Sequence, residues 1–213
     1  MARETFDRLP DSKKEAILNS GLNEFSTKSY SDAATDVITK NSGISKGLLF
    51  HYFGNKKAFY FYCLETAMER LTSKTVPPEG EDFYQILFST MDARLRLCGQ
   101  FPREMHLANM AAREMSPEVA EEKNRILAQY GLRRKAESAK TMARAVAGLK
   151  LETEDREKAL TALSLYVHAL MSKYLEDYLE RPDDFFNNRE SIQKELRIYL
   201  DFMLNGLTGG NRE

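Results

Sequence analysis

The chain has 213 residues, of which 42% are hydrophobic and 30% are charged, with 11 glycines, 6 prolines and a formal net charge of −1. This composition is typical of a folded, helix-rich protein and excludes disordered and fibrous chains. A net charge near zero also argues against a constitutive DNA-packaging protein, which would be strongly basic. The length allows either one large domain or two small ones.

No segment has the character of a signal peptide or a membrane span. The first eight residues carry charges with no apolar run behind them, and charges interrupt every later apolar stretch well before the ~20 residues that a bilayer requires. We therefore expect a soluble, cytoplasmic protein with no membrane partner. Cys63 and Cys98 are isolated and lack the spacing of a disulfide or zinc motif, so we interpret both as reduced and buried.

Apolar residues recur at helical spacing almost throughout, and the alternation typical of strands is nowhere sustained. The predicted fold class is therefore all-α. A first helix begins at Asp11 or Ser12 and ends near Lys28. Its predicted core face comprises Ile17, Leu18, Gly21, Leu22 and Phe25.

Two short helices, the second and third along the chain, follow. Ser31 or Asp32 is predicted to cap the second helix, which turns Val37 and Ile38 inward and breaks at Gly43. Ser45 is predicted to cap the third helix, which ends at Gly54-Asn55.

A fourth helix over Lys56–Lys74 precedes a proline-containing turn at 76–80, which is a candidate domain boundary. Beyond this turn the pattern predicts longer helices. They are placed at 81–99, 102–115, 117–148, 154–181 and 185–206.

The two short helices, over roughly residues 33–52, have the pattern of a helix-turn-helix, whose second helix enters the DNA major groove. Between Lys40 and Lys57 the chain carries four lysines and one histidine but no acidic residue. Gly47 lies inside the second helix, where glycine costs about 1 kcal/mol relative to alanine. Its presence indicates that the backbone at this point comes close to a phosphate or a base edge.

The run Gly43-Ile44-Ser45-Lys46-Gly47-Leu48-Leu49-Phe50-His51-Tyr52-Phe53-Gly54-Asn55-Lys56 closely resembles the DNA-binding signature of TetR-type regulators. The specific match covers about residues 12–65, and the later helices resemble the family in number and length only. The resemblance implies a helix-turn-helix DNA-binding domain over 1–55. A helical effector-binding and dimerisation domain would follow over 56–213, with the Lys56–Lys74 helix as the connection.

The resemblance also assigns contacts with DNA to residues of the two short helices and to the start of the fourth. They are Thr35, Ser45, Lys46, Gly47, Leu48, Phe50, His51, Tyr52 and Lys56. Three positions depart from the usual form of the family: Ser29, Leu48 and Phe50. Phe50 lacks the hydroxyl that would bond a phosphate, and Leu48 is suited to apolar contact with a thymine methyl.

The segment from Phe83 to Tyr130 is rich in aromatic and methionine side chains, which either pack a core or adapt to an apolar ligand. Core packing explains any one of them, but the resemblance places an effector pocket among these helices. The candidate pocket residues are Phe83, Phe88, Met91, Met105, His106, Asn109, Met110, Arg113 and Tyr130, with Glu114 as a further polar candidate.

The last two predicted helices carry apolar stripes wider than one intramolecular contact needs, so a second subunit is expected to cover part of them. The resemblance implies that two helices from each subunit form a four-helix dimer interface. The predicted interface residues are Leu163, Tyr166, Leu170, Tyr174, Ile192, Leu196, Tyr199 and Met203. A twofold dimer would present two reading helices to a palindromic operator.

The sequence thus predicts a transcriptional regulator, taken to be a repressor that an apolar effector releases from double-stranded operator DNA. A regulator without a small effector stays open as an alternative. A helical-bundle enzyme is disfavoured because the three histidines are far apart and no nucleophile elbow or phosphate loop is present. We expect no cofactor, no metal and no catalytic residue.

Overall fold

The computed structural model describes residues 2–73, 79–149, 155–178 and 181–207, and within these ranges every regular element is an α-helix. The all-α prediction is confirmed. The helices are α1 (Ala2–Asp7), α2 (Asp11–Thr27), α3 (Thr35–Ser42), α4 (Lys46–Phe53), α5 (Lys56–Ser73), α6 (Phe83–Gln100), α7 (Pro102–Arg113), α8 (Pro117–Val146), α9 (Arg156–Tyr178), α10 (Pro182–Asn187) and α11 (Arg189–Leu207). None of the described helices combines the length and apolar character needed to cross a bilayer.

Most predicted boundaries agree with the structure, and the differences concern the cap of α3 and two short helices. Helix α3 begins after Ala34 with no side-chain cap, so the predicted capping by Ser31 or Asp32 is wrong; Asp32 instead accepts a hydrogen bond from the Ser29 hydroxyl at 2.6 Å. Helices α1 and α10 were not predicted, because six-residue helices are too short to show periodicity. The predicted turn at 76–80 and the start of the helix placed at 154 fall partly outside the described residues.

The described residues divide into two compact units, which fall in Met1–Lys74 with Phe101–Arg134 and in Thr75–Gln100 with Lys135–Glu213. Helix α8 begins in the first unit and ends in the second. The functional division predicted between residues 55 and 56 stays a prediction, because units of packing need not coincide with domains of function.

The first unit is organised around α2, which packs against α3, α5 and α7. Aromatic rings fill much of its core, including Phe25 and Phe59, whose centroids are 6.1 Å apart. The carboxylate of Glu104 is buried at the edge of this core and is paired with a cation. The Arg70 guanidinium donates to Glu104 at 2.8 Å and to Glu15 at 2.7 Å. These two bonds join α5 to α7 and α2, and they fix the frame on which the short helices rest.

Helices α2 and α5 approach closely at Gly21. A Cβ added there would lie 2.6 Å from the Cys63 sulfur and 2.6 Å from the Phe59 ring. Cys63 is a free, buried cysteine, as predicted, and burial raises the pKa of its thiol. The thiol is therefore a packing group at this contact.

We expect Gly21→Ala to destabilise the protein by about 1–3 kcal/mol, because overfilling a packed contact forces side chains or backbone to shift. The measurement is the free energy of unfolding in urea. Gly131→Ala is the matched control: Gly131 lies in α8 with nothing within 4 Å of an added Cβ, so this variant should be at least as stable as the parent chain. An unchanged stability in Gly21→Ala would contradict the close approach.

The second unit is built from α6, α9, α10 and α11. Each long helix turns one apolar stripe into a shared core, exemplified by Met91, Leu163 and Leu196. Asp92 on α6 is buried and pairs with Arg189 at the start of α11. This ion pair fixes the position of α6 along α11 within the unit.

Candidate nucleic-acid interface

Helices α3 and α4 form a tight pair joined by a glycine turn. Helix α3 ends at Gly43, whose φ of 68° and ψ of 27° lie in the left-handed region that favours glycine. Helix α4 begins at Lys46, and the Ser45 side chain caps it by accepting a hydrogen bond from the Leu48 amide at 3.1 Å. Buried Ile38 and Leu49 pack the pair against the first unit, and Ile38 was predicted to face inward.

One face of α4 is open to solvent. Its exposed residues are Ser45, Lys46, Gly47, Leu48 and His51, all five of which were predicted to contact DNA. Gly47 has ordinary helical geometry, and a Cβ there would meet only the Ser45 Oγ at 3.9 Å. The protein's own packing therefore does not require a glycine at this position, although contact of these residues with DNA stays a prediction.

Two residues of the pair are placed differently from expectation. Tyr52, predicted to contact DNA, is buried, with its ring centroid 5.7 Å from that of Phe6. Helix α1, which supplies Phe6 and packs on α4, gave no periodic pattern in the sequence. Val37, predicted inward, is exposed because Ile38 takes the buried position on α3. Phe50 is partly buried.

Two further predicted DNA contacts are both partly buried: Thr35 begins α3, and Lys56 begins α5. The Lys56 ammonium donates to the Ser31 carbonyl at 3.2 Å and lies 4.8 Å from the centre of the Tyr30 ring. Partial burial lowers the pKa of Lys56, although nearby carboxylates, that of Glu118 foremost, act in the opposite direction. Lys56 thus already stabilises the loop between α2 and α3.

That loop is held by two carboxylates, those of Glu114 directly after α7 and Glu118 in the first turn of α8. The Tyr30 amide donates to Glu114 at 2.6 Å, and the Tyr30 hydroxyl donates to Glu118 at 2.7 Å. Glu114 is itself fixed by the Ser116 amide at 2.8 Å, and its carbonyl accepts from the buried Lys123 at 2.8 Å. Burial raises the pKa of Tyr30 well above its usual value, so the hydroxyl stays a donor. This Tyr30 clamp fixes the loop that leads into α3.

The start of α4 carries an ion pair that was not predicted from the sequence. The Lys46 ammonium lies 2.9 Å from the carboxylate of Asp36, in the first turn of α3. The two residues are ten positions apart in separate helices, so no local spacing rule connects them. The pair places a negative charge directly beside the cation predicted to contact DNA.

The nine candidate effector residues do not lie in one compact unit. Phe83, Phe88 and Met91 belong to the second unit, and the other six belong to the first. Those other residues are Met105, His106, Asn109, Met110, Arg113 and Tyr130. His106, Asn109 and Arg113 are exposed because α7 turns Glu104, Leu107 and Ala111 into the core. Phe83, Met91 and Tyr130 are buried in the cores of their own units. An effector site at these residues stays a prediction.

The predicted dimer residues also divide by burial. Leu163, Tyr174, Ile192 and Leu196 are buried in the chain's own core, so their surfaces are not available to a second subunit. Tyr166, Leu170 and Met203 are partly buried, and Tyr199 is exposed.

The most exposed apolar side chains of these two helices directly precede predicted interface residues in the sequence. They are Leu165 on α9 and Ile198 and Phe202 on α11, which are 67%, 49% and 72% exposed. The Tyr166 hydroxyl donates to the Tyr199 carbonyl at 3.0 Å, so the two helices adjoin at this outer face.

Helix α4 is short and basic, follows the positive-φ turn at Gly43 and packs on a buried aromatic core. This arrangement is that of a helix-turn-helix DNA-binding protein. Comparisons with known proteins agree. Residues 17–63 match the family described as bacterial regulatory proteins of the tetR family. None of the curated proteins compared with the chain matches it.

Three solved structures have a similar fold. A TetR family transcriptional regulator from Chloroflexus aurantiacus is 22% identical, with 96% of this chain and 97% of that chain covered and a TM-score of 0.64. A transcriptional regulator from Rhodococcus is 23% identical, with 91% and 97% covered and a TM-score of 0.55. A TetR-like regulator from the same genus is 16% identical, with 93% and 98% covered and a TM-score of 0.51. Residues 17–63 thus have the N-terminal domain of the bacterial regulatory proteins of the tetR family, and over most of its length the chain has the fold of solved TetR family transcriptional regulators.

Proposed function

We propose that this regulator is a homodimeric repressor that acts in the bacterial cytoplasm, binds a palindromic operator through α4, and is released by a small, largely apolar effector. The observation that carries the proposal is the open face of α4, where Lys46, Gly47 and Leu48 are exposed beside the Ser45 cap. The ammonium of Lys46 can pair with a DNA phosphate, and the absence of a side chain at Gly47 permits close approach of the helix backbone to the duplex. No catalytic role is proposed for any residue.

The outer face of α9 and α11 supports dimerisation. Leu165, Ile198 and Phe202 are large apolar side chains that are exposed to solvent. Exposed apolar surface of this kind marks an interaction site, and a twofold interface pairs the same patch on both subunits. A dimer closed through this face would carry two copies of α4, which is what a palindrome requires.

Effector control requires a protein with two states. We propose that the effector shifts α5, which begins directly after α4, and so changes the spacing of the two reading helices. The effector must prefer the released state by several kcal/mol to empty the operator. Met105 and Met110, both on α7, are partly buried and keep surface on which an apolar molecule can pack. A regulator that works without a small effector is the alternative, and the exposure of the polar candidates His106, Asn109 and Arg113 leaves it open.

Selection of binding sites from random double-stranded DNA tests the proposal. We expect enrichment of one palindromic sequence, and we expect Lys46→Ala to weaken binding to every duplex. The slope of log affinity against log salt should become shallower by about 0.9 for each phosphate that the variant no longer neutralises. Lys135→Ala, which removes the same charge from an exposed position on α8, is the control and should leave both quantities unchanged. Absence of any enriched sequence, or equal effects of the two variants, would contradict the proposal.

A further inference from the structure

Asp36 is the only acidic residue between Ala33 and Lys57, a stretch that otherwise carries four lysines. The carboxylate of Asp36 lies 2.9 Å from the ammonium of Lys46, and the two side chains are 76% and 50% exposed. This acidic group is therefore not needed to neutralise a buried charge. It lies in solvent on the helix that precedes the reading helix.

An exposed ion pair of this kind changes an equilibrium by about fivefold at most, so DNA can break it. A phosphate that approaches Lys46 meets a cation already occupied by a carboxylate, and it is also repelled by that carboxylate. Phosphate contacts supply most of the affinity that does not depend on sequence. A carboxylate beside a phosphate-binding lysine therefore lowers that component of the affinity.

We propose that Asp36 limits the sequence-independent affinity of the α3–α4 pair, the reading head, for DNA. It does so by competing with DNA phosphate for Lys46. This inference rests on the proposed DNA-binding role of α4 and names an affinity-limiting residue within it. Asp36 acts through Lys46, so its effect should disappear when Lys46 is absent.

The fold itself makes little use of the Asp36 carboxylate. The hydroxyl of Thr39 donates to the carbonyl of Asp36, at 3.1 Å, and not to its side chain. An asparagine has nearly the same shape and a similar helix propensity, and it gives up only the small stabilisation that a carboxylate has in the first turn of a helix. Asp36→Asn thus removes the charge while it keeps the local structure, which a thermal melt of each variant checks.

A double-mutant cycle with Asp36→Asn and Lys46→Ala tests the proposal, using a short duplex of random sequence as the probe. We expect Asp36→Asn to raise the affinity about three- to fivefold per reading head at low salt. The salt slope should also become steeper by up to about 0.9 per head. In the Lys46→Ala background the effect should shrink to that of Glu121→Gln, a control with the same charge change on the exposed surface of α8.

Two results would overturn the proposal while the DNA-binding role stands. One is an Asp36→Asn variant that binds no more tightly than the parent chain. The other is an increase of the same size with and without Lys46, which would show a general charge effect. If the parent chain binds neither a random duplex nor a selected operator, the DNA-binding role itself fails, and this inference fails with it.

Discussion

Replacing Gly47 by alanine is expected to raise the melting temperature of the protein and at the same time to weaken operator binding about tenfold or more, on the scale of a methyl group forced into a packed contact. The two effects have separate causes. Within the free protein, a Cβ at Gly47 meets only the Ser45 Oγ at 3.9 Å, so alanine brings its higher helix propensity, worth about 0.5–1 kcal/mol, without a clash. In the proposed complex, the same methyl group would occupy the space through which the backbone approaches the duplex.

Thermal denaturation and fluorescence anisotropy with labelled operator measure the two effects independently. Gly131→Ala is the matched control, because Gly131 also lies in a helix with free space around an added Cβ. The control should gain stability and keep its affinity for DNA. A Gly47→Ala protein that binds operator as tightly as the parent would show that the glycine does not serve DNA contact.

Phe202→Glu is expected to separate the proposed dimer and to weaken operator binding by about a hundredfold or more. Burial of one phenylalanine side chain contributes about 1.5–3 kcal/mol to the free energy of association. A twofold interface buries this side chain in both subunits, so the substitution removes the contribution twice. The substitution also brings two unpaired carboxylates into an apolar contact with Leu165 and Ile198 of this face. A monomer offers only one copy of α4, so it loses the joint binding of two half-sites.

Analytical ultracentrifugation gives the oligomeric state, and anisotropy gives the affinity for operator. Met115→Glu is the control, since Met115 is 84% exposed in the loop before α8, within the first unit. That variant should remain dimeric and bind normally. A Phe202→Glu protein that stays dimeric with unchanged affinity would place the interface elsewhere.

The reading helix was predictable from sequence because its determinants are local. Ser45 caps α4, and Gly43 takes the positive φ that ends α3, so both act within a few residues of their position in the chain. The apolar spacing of Ile38 and Leu49 likewise follows from helical periodicity. The family signature covers the same segment, and for that reason the pattern and the structure agree there.

The features that brace the reading helix depend on contacts between distant residues and were not predictable in the same way. Phe6, in a helix too short for periodicity, buries Tyr52, and Glu118 reaches Tyr30 across 88 positions of sequence. The Asp36–Lys46 pair joins two helices that only the turn at Gly43 brings together. None of these partners can be identified before the path of the chain is known.

The outer faces of α9 and α11 show a different difficulty. An apolar stripe in sequence does not say whether its partner belongs to the same chain or to a second copy. Leu163 and Leu196 pack inside the chain, whereas Leu165 and Phe202 face solvent. The surplus of apolar side chains was visible in the sequence, but its assignment to individual residues required the packing of the second unit.

Methylation interference on the selected operator tests most directly whether α4 reads the major groove. Dimethyl sulfate modifies guanine N7 in the major groove and adenine N3 in the minor groove, and bound and free DNA are then compared base by base. We expect N7 methylation to block binding at two clusters of guanines, related by the palindrome and separated by one or more helical turns of about 34–36 Å. Interference confined to adenine N3, or a single cluster without a symmetry mate, would contradict the account.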